Sequence, residues 1–363
     1  MLKSPRYTSM DTANATSFIE YNDSDGNYTD YNVTTDCSED LEIFYSVFQP
    51  ALYIMIFLLG VTGNSLMITV LLRRRRRLRI SEIYLLHLAL ADLMLLFTIP
   101  FQLVSCFTGW MFGVFLCMLK GVLTEMNLFC GSLLLACIGF DRYLAIVHAI
   151  PSMQSRRPGT VHLTCISLWV LCLLLSLPNA VFLSVNETNT SQLDCFHYRF
   201  EVHAHNWVVA NRILKNMCFF FSLVVMSFCY SALAITLSKS KKSQAKKGAI
   251  RLAVLVTLVF CLCWLPYNIT SLIRTIVEMG YMNSECAFNT LLYQVYDVTQ
   301  TLGISHCCLN PLLYAVVGVQ FRNELVQLLC QLGCGRICLP FIRAEGHSRQ
   351  SISEGTNSTN FNY

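Results

Sequence analysis

The chain has 363 residues, 54% hydrophobic and 13% charged, with a formal net charge of +4. A water-soluble domain carries about 25% charged residues, so this composition argues against a soluble globular protein and for lipid as the solvent. The 18 cysteines do not make a disulfide scaffold: most, such as Cys130, Cys137, Cys165, Cys172, Cys229, Cys261 and Cys263, sit in apolar runs, where a thiol acts as a small buried hydrophobe, and none has zinc-finger spacing beside histidines.

Residues 1–45 form a hydrophilic tail in which Asp11, Glu20, Asp23, Asp25, Asp30, Asp36, Glu39, Asp40 and Glu42 outweigh Lys3 and Arg6. So little apolar surface cannot offset the entropy of folding, and a disordered acidic tail is expected. No basic-then-apolar signal peptide opens it, so the first apolar segment is expected to act as its own insertion signal. Seven apolar stretches follow at about 48–72, 83–106, 116–140, 161–185, 207–237, 249–277 and 289–317. Each is long enough to cross a bilayer, which takes roughly 20 residues. The predicted fold is an all-α membrane protein, a seven-transmembrane helix bundle over residues 46–317. Phe321, Leu325, Leu328, Leu329 and Leu332 then fall at helical spacing, which predicts a short amphipathic interfacial helix within 318–332, followed by a disordered tail at 333–363.

Basic residues set the orientation. The first connector reads Arg73-Arg74-Arg75-Arg76-Arg77-Leu78-Arg79, the third holds Arg142, Arg156 and Arg157, and the fifth holds Lys239, Lys241, Lys242, Lys246, Lys247 and Arg251. Loops with this excess face the cytoplasm, so the amino terminus lies outside and the carboxyl terminus inside. A basic run also suits nuclear import or nucleic acid, but between two spans it reads as a topology signal. Candidate glycan sites agree, with Asn14, Asn22, Asn27 and Asn32 in the outer tail and Asn186 and Asn189 in the second outer loop. Asn268, within a span, and Asn357, in the inner tail, also fit the triplet and are expected to be silent.

Only the outer cysteines meet an oxidising compartment. Cys37 ends the tail, Cys117 begins the third span, Cys195 lies in the second outer loop and Cys286 lies between spans six and seven. Four cysteines allow three pairings. A Cys117–Cys195 bridge would pin the loop over the bundle, and a Cys37–Cys286 bridge would tie down the tail; Cys106 is read as free.

Ionisable and amide groups inside spans are costly and point to function. Asp92 sits mid-span, with Asn64 in span one and Asn310 in span seven as candidate partners in a polar core that would bind a cation or rearrange between states. Asp141-Arg142-Tyr143 closes span three at the cytoplasmic boundary, where an arginine held in one state can be released to a partner in another. Pro100, Pro178, Pro266 and Pro311 interrupt the helical ladder, with Trp264 and Tyr314 close to the last two; simple kinks or switch points both suit them.

Together these pieces resemble the rhodopsin-like G-protein-coupled receptors. The matching residues are Gly63-Asn64, Leu88-Ala89-x-x-Asp92, Asp141-Arg142-Tyr143, Trp169, Cys263-Trp264-x-Pro266 and Asn310-Pro311-x-x-Tyr314, and the likeness covers roughly residues 40–335. Within that family, Asp141 to Ala149 (Asp-Arg-Tyr-Leu-Ala-Ile-Val-His-Ala), Thr98-Ile99-Pro100, Trp110-x-Phe112-Gly113, His306-Cys307-Cys308-Leu309-Asn310-Pro311 and the Cys37/Cys286 pair are similar to the C-X-C chemokine receptors. Around Pro50-Ala51-Leu52-Tyr53 and Gly318 to Arg322 the chain is most similar to the type 3 receptor, with type 5 and the interleukin-8 receptors close behind. It departs at Ser222, where the family usually has a proline, at Gln102 and Ser105, where many members have tryptophan and aspartate, and at Gln300, where several have glutamate.

The resemblance implies a cell-surface receptor that binds a basic C-X-C chemokine and activates a heterotrimeric G protein of the inhibitory class, driving calcium release and chemotaxis. Tyr21, Tyr28 and Tyr31 stand among Asp23, Asp25 and Asp30, a context like that of sulfated tyrosines in related receptors. Such charge would raise the steered on-rate for a basic ligand. By their outer-half positions Lys120, Glu125, Arg212, Asp297 and Gln300 are candidate contacts for the ligand's flexible end, with Arg212 and Asp297 alternatively a structural ion pair. Trp264, Pro266 and Pro311 would pass the signal inward, and Arg142, Tyr230 and Tyr314 would build the G-protein site. Cys330, Cys334 and Cys338 are candidate palmitoylation sites, and Ser348, Ser351, Ser353, Thr356, Ser358 and Thr359 candidate substrates of receptor kinases for arrestin recruitment. No organic cofactor is implied; a sodium ion near Asp92 is the one expected occupant.

Other classes fit less well. No zincin motif, Gly-x-Ser-x-Gly elbow or P-loop occurs, so an enzyme is not expected. No lysine lies in 289–317 to hold an opsin chromophore, and no internal repeat suggests a transporter. The alternative is a scavenging receptor that internalises chemokine without G-protein signalling; such receptors usually have an altered Asp-Arg-Tyr region, which this chain keeps at 141–143.

Overall fold

The structure is a computed structural model that describes residues 44–73, 78–148, 158–187, 193–197, 202–239, 244–281, 286–317 and 319–331. Helix α1 (Gln49–Arg73), preceded by one π-helical turn at Phe44–Phe48, forms the first span. Two helices, α2 (Ile80–Leu96) and α3 (Ile99–Thr108), share the second. The third to seventh spans are α4 (Gly113–Ile146), α5 (Pro158–Val181), α6 (Val202–Lys239), α7 (Gln244–Glu278) and α8 (Cys286–Val317), and α9 (Val319–Gln331) follows. Within a bilayer every backbone polar group must be satisfied inside the segment, and helices do this.

Six of the spans are long and apolar enough by themselves to cross a membrane. The seventh, α8, is 32 residues long but more polar, because Thr301, His306 and Asn310 are buried on its inward side. Helix α4 is the centre of the bundle, packing on α2, α5, α6 and α7, whereas α5 is the most lipid-exposed span. Helices α6 and α7 overrun the expected apolar stretches at both ends, since a helix continues past the hydrocarbon where its polar flanks meet water. Asn268 is fully buried and its Nδ2 donates to the Trp264 carbonyl, 2.9 Å away.

The break between α2 and α3 follows from Pro100, which has no N–H to give the Leu96 carbonyl. The chain tightens there: the backbone N–H and the hydroxyl of Thr98 both donate to the Leu95 carbonyl, at 2.9 and 2.7 Å. Span five behaves differently. With Ser222 where a proline would stand, α6 runs unbroken, and the Ser222 hydroxyl donates to the Cys218 carbonyl at 2.9 Å. Helix α9 falls within the 318–332 segment, packs against α1 and α8, and buries Leu328; Arg73 donates to Gln331 at 3.2 Å.

On the outer side β1 (Leu183–Glu187) and β2 (Leu193–His197) pair antiparallel, with Val185 opposite Cys195. Cys195 is bonded to Cys117 at the head of α4, Cα to Cα 5.7 Å, so the hairpin is fixed over the bundle. Buried Trp110 supports it, its backbone N–H donating to Leu193 and its indole to Gly113 at 2.9 Å. Cys106 is free. Cys37 lies outside the described residues, and with it the Cys37–Cys286 pairing.

Candidate functional site

The polar centre of the bundle is built around Asp92, fully buried on α2. Three side chains donate to its carboxylate, Asn127 of α4 (3.2 Å to Oδ1), Cys307 of α8 (Sγ 3.4 Å from Oδ1) and Asn310 of α8 (2.9 Å to Oδ2), and Nε2 of His306 on α8 lies 3.2 Å from Oδ1. A buried carboxylate costs several kcal/mol unless it is met in this way. Asn310 takes the expected place. Asn127, His306 and Cys307 join it unannounced; an amide in the apolar run of α4 was the legible sign of the first.

Asn64 does not reach Asp92. Its Nδ2 donates to the carbonyls of Gly60 and Cys307, each at 2.9 Å. The physical reason is Pro311, which lacks the N–H that would satisfy the Cys307 carbonyl four residues before it. The first span supplies that donor. Gly63 lets the two helices come close enough, for a Cβ there would fall 2.7 Å from Pro311.

Trp264 sits one layer outward. Its indole Nε1 donates to Nδ1 of His306 at 3.1 Å, so a single imidazole joins the tryptophan to Asp92. Trp264 also lies flat against Gly303, where an added Cβ would meet its ring at 2.5 Å. Another relay, from Trp169 to His87 (3.2 Å) and on to His162 (3.3 Å), ties α5 to α2.

The outer half holds a network of buried charge. Lys215 of α6 reaches Glu125 of α4 (3.4 Å) and donates to the Tyr267 hydroxyl of α7 (3.1 Å), which pairs with Tyr296 of α8 at 2.8 Å. Arg212 does not pair with Asp297. It meets Glu278 at 2.7 Å, beside Arg274 at 3.0 Å from the same carboxylate, because α6 and α7 face each other there. Arg274 stacks over Tyr293 and Tyr296, 4.3 and 5.0 Å from the ring centres. Asp297 is reached instead by the Tyr45 hydroxyl at 3.4 Å. Lys120 lies over Trp110, 5.2 Å from the ring centre, and Gln300 is half-buried on α8. Asp194 in β2 accepts the Cys195 N–H at 2.7 Å, yet burial pushes its carboxyl above the usual range. Lys215, Arg274 and Glu278 were missed by sequence reasoning; Arg212 and Lys215 lie three apart in an apolar stretch, which places both on one helix face.

At the inner end Asp141 is buried and Arg142 half-buried. Tyr143 meets His148 at 2.8 Å and packs on Phe228 of α6. The Tyr230 hydroxyl bonds to Thr257 of α7 at 3.1 Å, joining α6 and α7, and Tyr314 is buried. Tyr21, Tyr28, Tyr31, Asp30, Asn14, Asn22, Asn27, Asn32, Asn189, Cys334 and Cys338 lie outside the described residues. Asn186 in β1 and Cys330 in α9 are partly exposed.

The sequence matches the family model of the seven-transmembrane receptors of the rhodopsin family over residues 63–314. It is similar to the C-X-C chemokine receptor type 5 of Homo sapiens, 38% identical over 322 residues that cover 87% of this chain and 86% of that receptor. It is also similar to the type 3 receptors of Homo sapiens and Bos taurus, each 41% identical over 300 residues, covering 82% of this chain and 80% and 81% of theirs.

Proposed function

The chain belongs to the rhodopsin-family seven-transmembrane receptors and, within them, to the C-X-C chemokine receptors, and from that membership we propose that it binds a basic C-X-C chemokine and activates an inhibitory-class heterotrimeric G protein. The family is a receptor class rather than an enzyme class, and it consists of multi-pass plasma-membrane proteins.

The observation that carries this reading is the outer charge network. Glu125–Lys215 crosses from α4 to α6, and Arg212–Glu278–Arg274 crosses from α6 to α7. A charged ligand end that exchanges partners with these pairs changes the contacts holding the outer part of α7. Steering by the acidic tail, strengthened by sulfation at Tyr21, Tyr28 and Tyr31, brings the basic chemokine there. Trp264 and Pro266 lie between that network and the inner end of α7. An outward swing of that end parts Tyr230 from Thr257 and frees Arg142, Tyr230 and Tyr314 for the G protein. Phosphorylation of the serine- and threonine-rich tail by receptor kinases then recruits arrestin.

Calcium flux and cyclic-AMP inhibition in transfected cells against a C-X-C chemokine panel test this reading, with Arg142→Ala as control. A response to one chemokine, lost in Arg142→Ala, is expected. Uptake of chemokine with no second-messenger change in either form overturns G-protein coupling and leaves the scavenging receptor.

A further inference from the structure

We propose that His87 and His162 form a binding site for a divalent transition-metal ion of the zinc and copper class, and that the ion competes with Trp169 for His87. The two imidazoles stand on different helices, α2 and α5, with His87 Nε2 3.3 Å from His162 Nδ1. His87 is the eighth residue of α2 and His162 the fifth of α5, so the pair lies in the cytoplasmic half of the groove between these spans. Both rings are half-buried, open enough for an ion to enter with its water.

The separation suits such an ion. Two zinc–nitrogen bonds of about 2.0–2.1 Å at the tetrahedral angle set their nitrogens about 3.3–3.4 Å apart. The ring centres are 5.5 Å apart with the planes at 62°, so the rings do not stack and the facing nitrogens are their near atoms. The ion therefore takes the place of the shared proton with little movement of either ring. Water fills the two remaining positions, as in an open zinc site.

Donor type makes the selection. Imidazole suits zinc, copper and nickel, whereas magnesium and calcium draw on oxygen. His162 is ready as it stands: Nδ1 already offers its lone pair to His87, and the proton stays on Nε2, which has no protein partner among the described residues.

His87 is not ready, and Trp169 is the reason. An indole N–H only donates, so at 3.2 Å it fixes Nδ1 of His87 as the acceptor and Nε2 as the nitrogen that carries the proton. A metal on Nε2 moves that proton to Nδ1, where it meets the indole N–H donor to donor. Trp169 must then leave His87, and α5 loses that tie to α2. By linkage the two effects are reciprocal: whatever removes the indole donor strengthens metal binding.

The test uses the full-length receptor purified in detergent after chelation and titrated with zinc or copper. Calorimetry is expected to show an equivalent of zinc that His87→Gln and His162→Gln each weaken by about tenfold or more. Trp169→Phe should tighten the same equivalent severalfold. Copper should give an electron-spin resonance spectrum with two imidazole nitrogens. It should also quench tryptophan emission in the wild type, with most of that quenching lost in Trp169→Phe. Thermal unfolding in chelator identifies a variant that fails to fold; His162→Gln, which leaves the Trp169–His87 bond in place, serves if His87→Gln does. Every zinc equivalent unchanged in His162→Gln, zinc no tighter in Trp169→Phe, or a copper spectrum without a second imidazole would each overturn the proposal.

Discussion

Lys215 on the fifth span reaches Glu125 on the third, Nζ to Oε1 3.4 Å, with both side chains 7% exposed. Each group is the other's counter-charge deep in the bundle, and Asn211 and Tyr267 fill part of their remaining hydrogen-bonding capacity. Removing one partner leaves the other uncompensated. Lys215→Met or Glu125→Leu alone should cost about 3 kcal/mol, while the double replacement recovers most of it. Thermal unfolding of the four proteins in detergent measures the cycle. Additive losses would show that the pair is not coupled.

The Tyr230–Thr257 bond holds the inner ends of α6 and α7 together in this state. Thr257→Val keeps the shape and removes the partner without touching Tyr230. A lost hydrogen bond of about 1 kcal/mol shifts the inactive–active balance about fivefold. Higher ligand-independent cyclic-AMP inhibition, normalised to surface expression, is expected; an unchanged basal level would show that the contact does not restrain activation.

At Gly303 an added methyl would fall 2.5 Å from the Trp264 ring. Gly303→Ala should therefore displace the indole from His306 and destabilise the receptor by about 1–3 kcal/mol. Thermal unfolding reads the second effect and tryptophan emission, against Trp264→Phe, the first. Both readings unchanged would mean that the helices part easily at this level.

The Cys117–Cys195 bridge closes a loop across 78 residues and anchors the β1–β2 hairpin to α4. Cys117→Ser and Cys195→Ser, singly and together, should reduce chemokine binding to the same low level, with a stability loss of about 2–5 kcal/mol. Radioligand binding on intact cells is the measure. A double variant much worse than either single would mean that each cysteine acts apart from the bridge.

Hydropathy and loop charge by themselves determined the seven spans, their boundaries to a few residues and their orientation. These are legible because the membrane acts on each segment separately: a stretch such as 161–185 partitions into lipid by its own composition, and Arg73 to Arg79 stays inside by its own charge. The pairing of Asp92 with Asn310 could be read in the same way, as two costly groups needing each other. Which partner each buried group finds was decided only by the tertiary structure. Asn64 serves the carbonyl that Pro311 orphans rather than Asp92, and Arg212 meets Glu278 rather than Asp297. His306 stands between Trp264 and Asp92. Each of these depends on the rotation of one helix against another far away in the chain, a few degrees of which exchange one partner for its neighbour, and no local property of the sequence carries that angle.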